Sequence, residues 1–153
     1  MKLKIVAVGS RCPDWAARGY AEYAKRLPPP YELELVEIAT RQQASSARYV
    51  AEEGSKILRR IDVGDWVVVL DEHGVSRTSK QLAEDLLDWR QNARQIVFVI
   101  GGADGLSQEA KSRANTTWSL SKLTLPHYLV RPLLAEALYR AWSINSGHPY
   151  HRA

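Results

Sequence analysis

The residues best suited to chemistry fall into two groups. The first follows two short apolar runs. Trp66-Val67-Val68-Val69-Leu70 leads into Asp71-Glu72-His73-Gly74, and Gln95 to Ile100 leads into Gly101-Gly102-Ala103-Asp104-Gly105. Glycine directly after a buried strand lets the backbone turn tightly and lets a ligand reach main-chain amides with no side chain between. Three glycines in five residues leave two readings open, a plain tight turn or a ligand cradle. With Ala103 at the second glycine's place and no Gly-Lys-Ser/Thr following, neither the dinucleotide fingerprint nor the P-loop is present. The second group is C-terminal: His127, Glu136, Arg140, His148, Tyr150 and His151. Glu136 and Arg140 stand at i and i+4, the order that favours a helix-surface ion pair, and their place in the chain keeps a functional role open. His148 and His151 have no neighbouring Cys, Asp or Glu to complete a metal set, so no metal is expected. Histidines beside a tyrosine in a basic tail suit contact with a phosphate or a base instead. Spacing supports no Ser-His-Asp or Cys-His arrangement, and Cys12 beside Pro13 reads as incidental.

The charge distribution bears on what such residues would meet. The formal net charge is +4, unevenly spread. Residues 1–60 hold 11 Lys/Arg against 7 Asp/Glu, residues 61–100 hold 4 against 7, and residues 101–153 hold 6 against 3. Basic ends around an acidic middle hint at a polyanionic partner, although a mildly basic soluble surface would look the same. A lone cysteine excludes an internal disulfide and suits a reducing cytosol. No apolar run approaches the ~20 residues needed to span a bilayer, so the cytoplasm is expected.

The elements that must position these residues alternate along the chain. Lys2 to Val8 reads as a strand stopped by Gly9. A helix follows from Pro13, with Trp15, Ala16, Gly19, Tyr20, Tyr23, Ala24 and Leu27 on one face, and Pro28-Pro29-Pro30 closes it. Tyr31 to Ile38 alternates apolar and acidic residues, as an edge strand would. A polar loop at residues 40–48 leads into a helix running to about Arg60. Trp66 to Leu70 is a central parallel strand that Asp71 to Gly74 closes as a turn. Ser79 to Asn92 is helical, with Leu82, Ala83, Leu86, Leu87 and Arg90 on one side. Gln95 to Ile100 is a buried strand, Ser107 to about Ala114 a short helix, and Thr117 to Leu120 a brief extended piece. The last helix runs from about Tyr128 to Asn145, with Val130, Leu133, Leu134, Ala137, Leu138, Ala141 and Trp142 on its apolar face. The pattern predicts one α/β domain, residues 1–153, with a mostly parallel sheet flanked by helices.

Leu120-Ser121-Lys122-Leu123-Thr124-Leu125-Pro126-His127, then Leu129-Val130-Arg131 and Leu138-Tyr139-Arg140-Ala141-Trp142, resemble the ribosomal RNA large-subunit methyltransferase H family, small enzymes of the SPOUT class. The likeness covers the full length, including Leu3 to Gly9, Leu70-Asp71, Gly101 to Gly105 and the ending His148-Pro149-Tyr150-His151-Arg152. It implies an α/β knot in which the C-terminal part threads a loop to form a trefoil, a topology that general rules disfavour. It implies a homodimer holding S-adenosylmethionine at Leu70, Gly101, Gly102 and Leu120, Ser121, Lys122, Leu123, Thr124 and Leu125. The activity it implies is methylation of N3 of a pseudouridine in helix 69 of 23S ribosomal RNA, on the assembled 70S ribosome, with no role for DNA or membrane.

The residues accord with that chemistry. Methyl transfer from a sulfonium is an in-line displacement that needs no metal and rests on positioning in a dry pocket. Leu120 to Leu125 can offer main-chain hydrogen bonds to adenine while its leucines enclose the ring. A uracil-like N3 must lose its proton, which calls for a base or a stabiliser of the anion; Arg140, His127, His148, Tyr150 and His151 are the candidates. The tail from Gly147 onward is expected to order over the pocket of its own chain or of a second copy. Pro132, inside the last helical run, predicts a later helix start or a distorted first turn. Two other readings are a ribosome-binding factor without catalysis and a nucleotide-binding enzyme of ordinary doubly wound fold.

Overall fold

The computed structural model describes residues 2–39 and 46–152. The predicted polar loop at 40–48 lies mostly outside them. Among the described residues the elements are β1 (Lys2–Val8), α1 (Asp14–Ala24), β2 (Leu33–Ile38), α2 (Ser46–Leu58), β3 (Trp66–Ser76), α3 (Ser79–Asn92), β4 (Gln95–Ile100), α4 (Gln108–Arg113), β5 (Thr116–Ser119) and α5 (His127–Ser146). The strands form one sheet in the order β2-β1-β4-β3-β5, and every pairing is parallel. β2, with its acidic alternate residues, lies at an edge, as its pattern predicts.

Period-two alternation divides the core into two faces. Leu3, Ile5 and Ala7 of β1 and Ile96, Phe98 and Ile100 of β4 pack with Leu82, Leu86 and Trp89 of α3 and Leu134 and Leu138 of α5. The intervening Val6, Val8, Val97 and Val99 join Val67, Val69, Ile38 and Ile57 of α2 on the other face. Helices α1, α3 and α5 therefore cover one side, α2 and α4 the other. Each βαβ connection that steps toward β2 crosses the first face, and each that steps toward β5 crosses the second, so all share one handedness, as parallel crossovers require. Adjacent strands β3 and β4 send their connections to opposite faces. That opens a crevice beyond their carboxyl ends.

Three features differ from the sequence reading. Asp71 to Gly74 does not end β3: the strand runs on to Ser76 after an irregularity between Leu70 and Val75, and its far part pairs with Trp118 and Ser119. The acidic residues thus lie in a bulged strand whose far part still gains a ladder partner. On α3 it is Trp89, not Leu87, that is buried; Trp89 meets Phe98 edge-on at 6.0 Å. On α5, Leu133 is exposed while Arg131 is buried.

The Pro132 expectation also resolves. Helix α5 begins at His127, one residue earlier than predicted, directly after Pro126, and remains helical through Pro132. Proline at this position has no N–H to give the Tyr128 carbonyl. In return its ring lies on α1 at Gly19, where an added Cβ would come within 3.3 Å of it. A small residue facing a compact ring lets the two helices approach closely.

Leu138 is fully buried where α5 crosses the sheet. Leu138→Ala should lower unfolding stability by about 2–5 kcal/mol through lost burial and the cavity left behind. Urea unfolding followed by tryptophan fluorescence would show a reduced midpoint with an unchanged slope.

Candidate active site

Beyond the ends of β3 and β4 lies a cleft of about 210 Å³. Its floor is Leu70, Ile100, Gly101 and Gly102; Gly105, Leu106 and Lys111 form one wall and Asp71 and Glu72 another. The segment from Leu120 to His127 closes the third side. Both glycine positions are sterically spoken for. A Cβ on Gly101 would come 2.9 Å from Leu106 Cγ, and one on Gly102 would come 3.0 Å from Val8 Cγ1. Close packing against Leu106 and Val8 therefore calls for glycine at both positions, and both line the cleft.

The closing segment is held by its own hydrogen bonds. Ser119 Oγ donates to the Ser121 carbonyl at 2.8 Å, and the Leu123 N–H donates to Ser121 Oγ at 2.9 Å. Thr124 Oγ1 donates to Glu72 Oε2 at 2.6 Å, tying the segment to the extended part of β3. Leu120, Ser121, Leu123, Thr124 and Leu125 all line the cleft; Lys122 is exposed and does not. Leu123 is 73% exposed, an apolar side chain at the mouth of an open site. A flat apolar ligand could cover it.

His127 also lines the cleft, at the first turn of α5. Its ring lies 4.2 Å from that of Tyr128. Burial, and next the charge of Arg131, hold its pKa below the usual histidine value, against a smaller opposing effect of Glu53.

The other C-terminal candidates gather elsewhere. Arg140 donates to Glu136 Oε1 through Nε at 2.9 Å and Nη2 at 2.7 Å, and Tyr150 OH donates to the same oxygen at 3.0 Å. The guanidinium lies 5.0 Å from the Tyr150 ring centre. Tyr150 packs against Tyr139 and Tyr23, and His148 against Trp142. Burial first, then bonding to Tyr23 and Glu136, pushes the Tyr150 phenol well above its ordinary value. His151 Nδ1 is buried with no hydrogen-bond partner. None of Arg140, His148, Tyr150 and His151 lines the cleft of its own chain. With 1.5 Å of rise per residue, Arg140 stands roughly 20 Å along α5 from His127. The tail therefore does not order over its own chain's cleft, because the aromatic nest at the far end of α5 retains it.

Sequence reasoning missed Leu106, Lys111 and Val130 as cleft residues. Leu106 follows the glycine turn and could have been inferred from it; Lys111 carries no local signal. Among the described residues no group of three or more His, Cys, Asp or Glu could hold a metal ion.

The family model for predicted SPOUT methyltransferases matches residues 1–151. The chain belongs to the SPOUT methyltransferase family. It is 48% identical over 155 residues to a protein of Pseudomonas putida named Ribosomal RNA large subunit methyltransferase H, with 99% of this chain and 100% of that one covered. A protein of the same name from Hahella chejuensis is 46% identical, with 99% of each covered. Among solved structures, a probable methylase family protein from Haemophilus influenzae matches 99% of this chain and 70% of its own with a TM-score of 0.59 at 14% identity, a likeness of fold. The SPOUT sheet thus carries its cleft where the backbone, not a side-chain cluster, forms the floor.

Gly101→Val should drive Leu106 into the cleft and weaken binding of a methyl donor at least about tenfold, a loss of ~1.4 kcal/mol. Calorimetric titration would measure it, with circular dichroism expected to show the same secondary structure as the unaltered chain.

Proposed function

We propose that this chain, as one SPOUT domain over residues 1–153, transfers a methyl group from S-adenosylmethionine to N3 of a pseudouridine in helix 69 of 23S ribosomal RNA, acting as a cytoplasmic homodimer on the assembled 70S ribosome. The observation that carries the reading is the cleft: a glycine floor and a leucine-rich closing segment, in a chain nearly half identical over its whole length to proteins named for ribosomal RNA methylation. That such a chain is a ribosomal RNA methyltransferase follows from family and relatives together. The site on the RNA, the ribosomal context and the dimer are the proposed part.

The residues present suit the methyl donor. Leu70, Leu120 and Leu125 offer an apolar slot for a flat ring, and Gly101, Gly102 and most of residues 120–125 line the cleft, where main-chain groups not already bonded would supply hydrogen bonds; a side chain at Gly101 would meet Leu106 in the wall. Asp71 and Glu72 give carboxylates suited to ribose hydroxyls or an ammonium. Bound S-adenosylmethionine would supply an electrophilic methyl for in-line displacement. The chain's own work is then to hold the acceptor base in line, exclude water and relieve N3 of its proton. His127 stands at the cleft for that last task. Arg140, with its charge beside Tyr150, is suited to stabilising an N3 anion.

The separation of those two groups supports the dimer. One chain carries its cleft near the start of α5 and its Arg140, His148, Tyr150 and His151 set near the end. A second copy that laid its tail by the first copy's cleft would unite them. A trefoil would involve the same segment: residues 120–126 link β5 at the sheet edge to α5 and are bonded to Glu72 on the way, which is compatible with a knot there. No helix among the described residues is long and apolar enough to cross a membrane.

Incubating the protein with labelled S-adenosylmethionine and either 70S ribosomes or separated subunits tests the reading. Methyl incorporation into helix 69 of the 70S particle, located by mass spectrometry, is the expected outcome; label elsewhere, or none, would overturn it. Truncation after Gly147, whose left-handed conformation (φ 70°) already caps α5, should leave donor binding within about twofold and abolish methylation. Retained methylation would show that His148, Tyr150 and His151 are dispensable.

A further inference from the structure

Arg131 is the largest fully buried side chain among the described residues, 1% exposed. Its Nη1 donates to Glu37 Oε2 of β2 at 2.7 Å, and its Nη2 donates to the Gly9 carbonyl at 2.7 Å. Its guanidinium carbon sits 4.9 Å from the ring centre of Tyr128. Tyr128 in turn is fixed at its far end, where its hydroxyl accepts from the Arg11 N–H at 3.1 Å. Gly9, with φ 114°, gives the phenol room: an added Cβ there would stand 2.5 Å from the Tyr128 hydroxyl. On the other side of Tyr128 comes His127, in the cleft wall. Three side chains thus run in series from an ion pair buried at its Arg131 end to the cleft.

We propose that Arg131 is a positioning residue for the cleft: acting through Tyr128, it fixes the His127 imidazole in the wall beside the place a cationic methyl donor would occupy. The inference rests on the methyl-transfer reading above. A sulfonium carries a formal positive charge, and an imidazolium within a few ångströms would repel it with little screening in a partly closed cleft. The groups that face His127 are Arg131 on its own helix, Glu53 of α2 behind Gly102, Asp71 and Glu72 of β3, and Lys111 of α4. Arg131 opposes protonation and Glu53 favours it, with burial the larger effect and on the side of Arg131. Tyr20, which lines the same cavity as Arg131, is pushed up to about 12 by burial and adds no charge at neutral pH.

The sign follows. His127, its pKa held below the ordinary value, is neutral at neutral pH and charges only as the medium turns acid. Affinity for the cationic donor should fall as pH drops through that transition. Affinity for S-adenosylhomocysteine, whose sulfur is neutral, should not fall with it.

Calorimetric titration of both ligands between about pH 5 and 8, with NMR titration of the His127 ring in parallel, tests this. Expected is a several-fold loss for S-adenosylmethionine at the acid end that S-adenosylhomocysteine does not share. In Arg131→Met the histidine should titrate at higher pH and the loss should move with it; Arg131→Lys, which keeps the charge, should largely restore the native profile. Should Arg131→Met fail to fold, His127→Gln carries the test, since it must abolish the pH-dependent difference between the two ligands. An equal acid loss for both ligands, or an unmoved His127 titration in a folded Arg131→Met, would overturn the inference and leave the methyl-transfer reading intact. No binding of either ligand at any pH would overturn that reading, and this inference with it.

Discussion

A guanidinium sealed inside a protein is tolerated only where other groups replace the water it has lost, and removing such a partner costs about 3–5 kcal/mol. Arg131 has that replacement at its two terminal nitrogens, from the carboxylate of Glu37 on β2 and the carbonyl of Gly9 just past β1, while its Nε is buried without a hydrogen-bond partner. Both partners belong to the β1 and β2 side of the sheet, so the bonds set where α5 lies along it. A helix displaced by one turn would strand the charge. Apolar packing alone would tolerate such a slip more readily, since Leu134, Ala135, Leu138 and Ala141 form a repeating stripe.

Much else hangs from that placement. With α5 seated, His127 reaches the cleft, and the segment 120–126 has both ends fixed, one by β5 and one by the helix. Its length then leaves it few paths, and the bond from Thr124 to Glu72 selects the one past the end of β3. The floor of the cleft depends on none of this, being made by strand ends and glycines. The closing wall does. The cleft thus has a floor set by the sheet and a wall hung from α5.

The parts of the structure legible in the sequence are those governed by periodicity. β4 and α3 lie where the apolar pattern puts them, because a run buried on both faces and a capped amphipathic helix leave little choice. The glycine turn marks the right strand end. The extension of β3 through Asp71 and Glu72 was hidden, since its pairing with Trp118 and Ser119 is a long-range contact and polar residues there look like a turn. Arg131 had a visible signal: it stands three, four and seven residues before Leu134, Ala135 and Leu138, on the stripe that must be buried. A charged residue in phase with an apolar stripe is a place to look for a partner, and here the partners are what locate the helix. The distance between Arg140 and the cleft was hidden for the opposite reason. Motif adjacency along the chain suggests neighbours, whereas a straight helix separates its two ends by the full rise of its turns.

That same rise divides the labour of the proposed reaction. The donor end of α5 meets leucines and glycine backbone, with the charges of Asp71, Glu72 and Lys111 on the cleft walls. The far end gathers Arg140, Glu136, Tyr150 and His148 in an aromatic nest. A cationic donor and a polyanionic acceptor ask for opposite surroundings, and a site compact enough to serve both would have to compromise each. Placing the two environments at opposite ends of one helix avoids the conflict within a chain. In the proposed homodimer, the tail of one copy laid beside the cleft of the other would bring the two environments together.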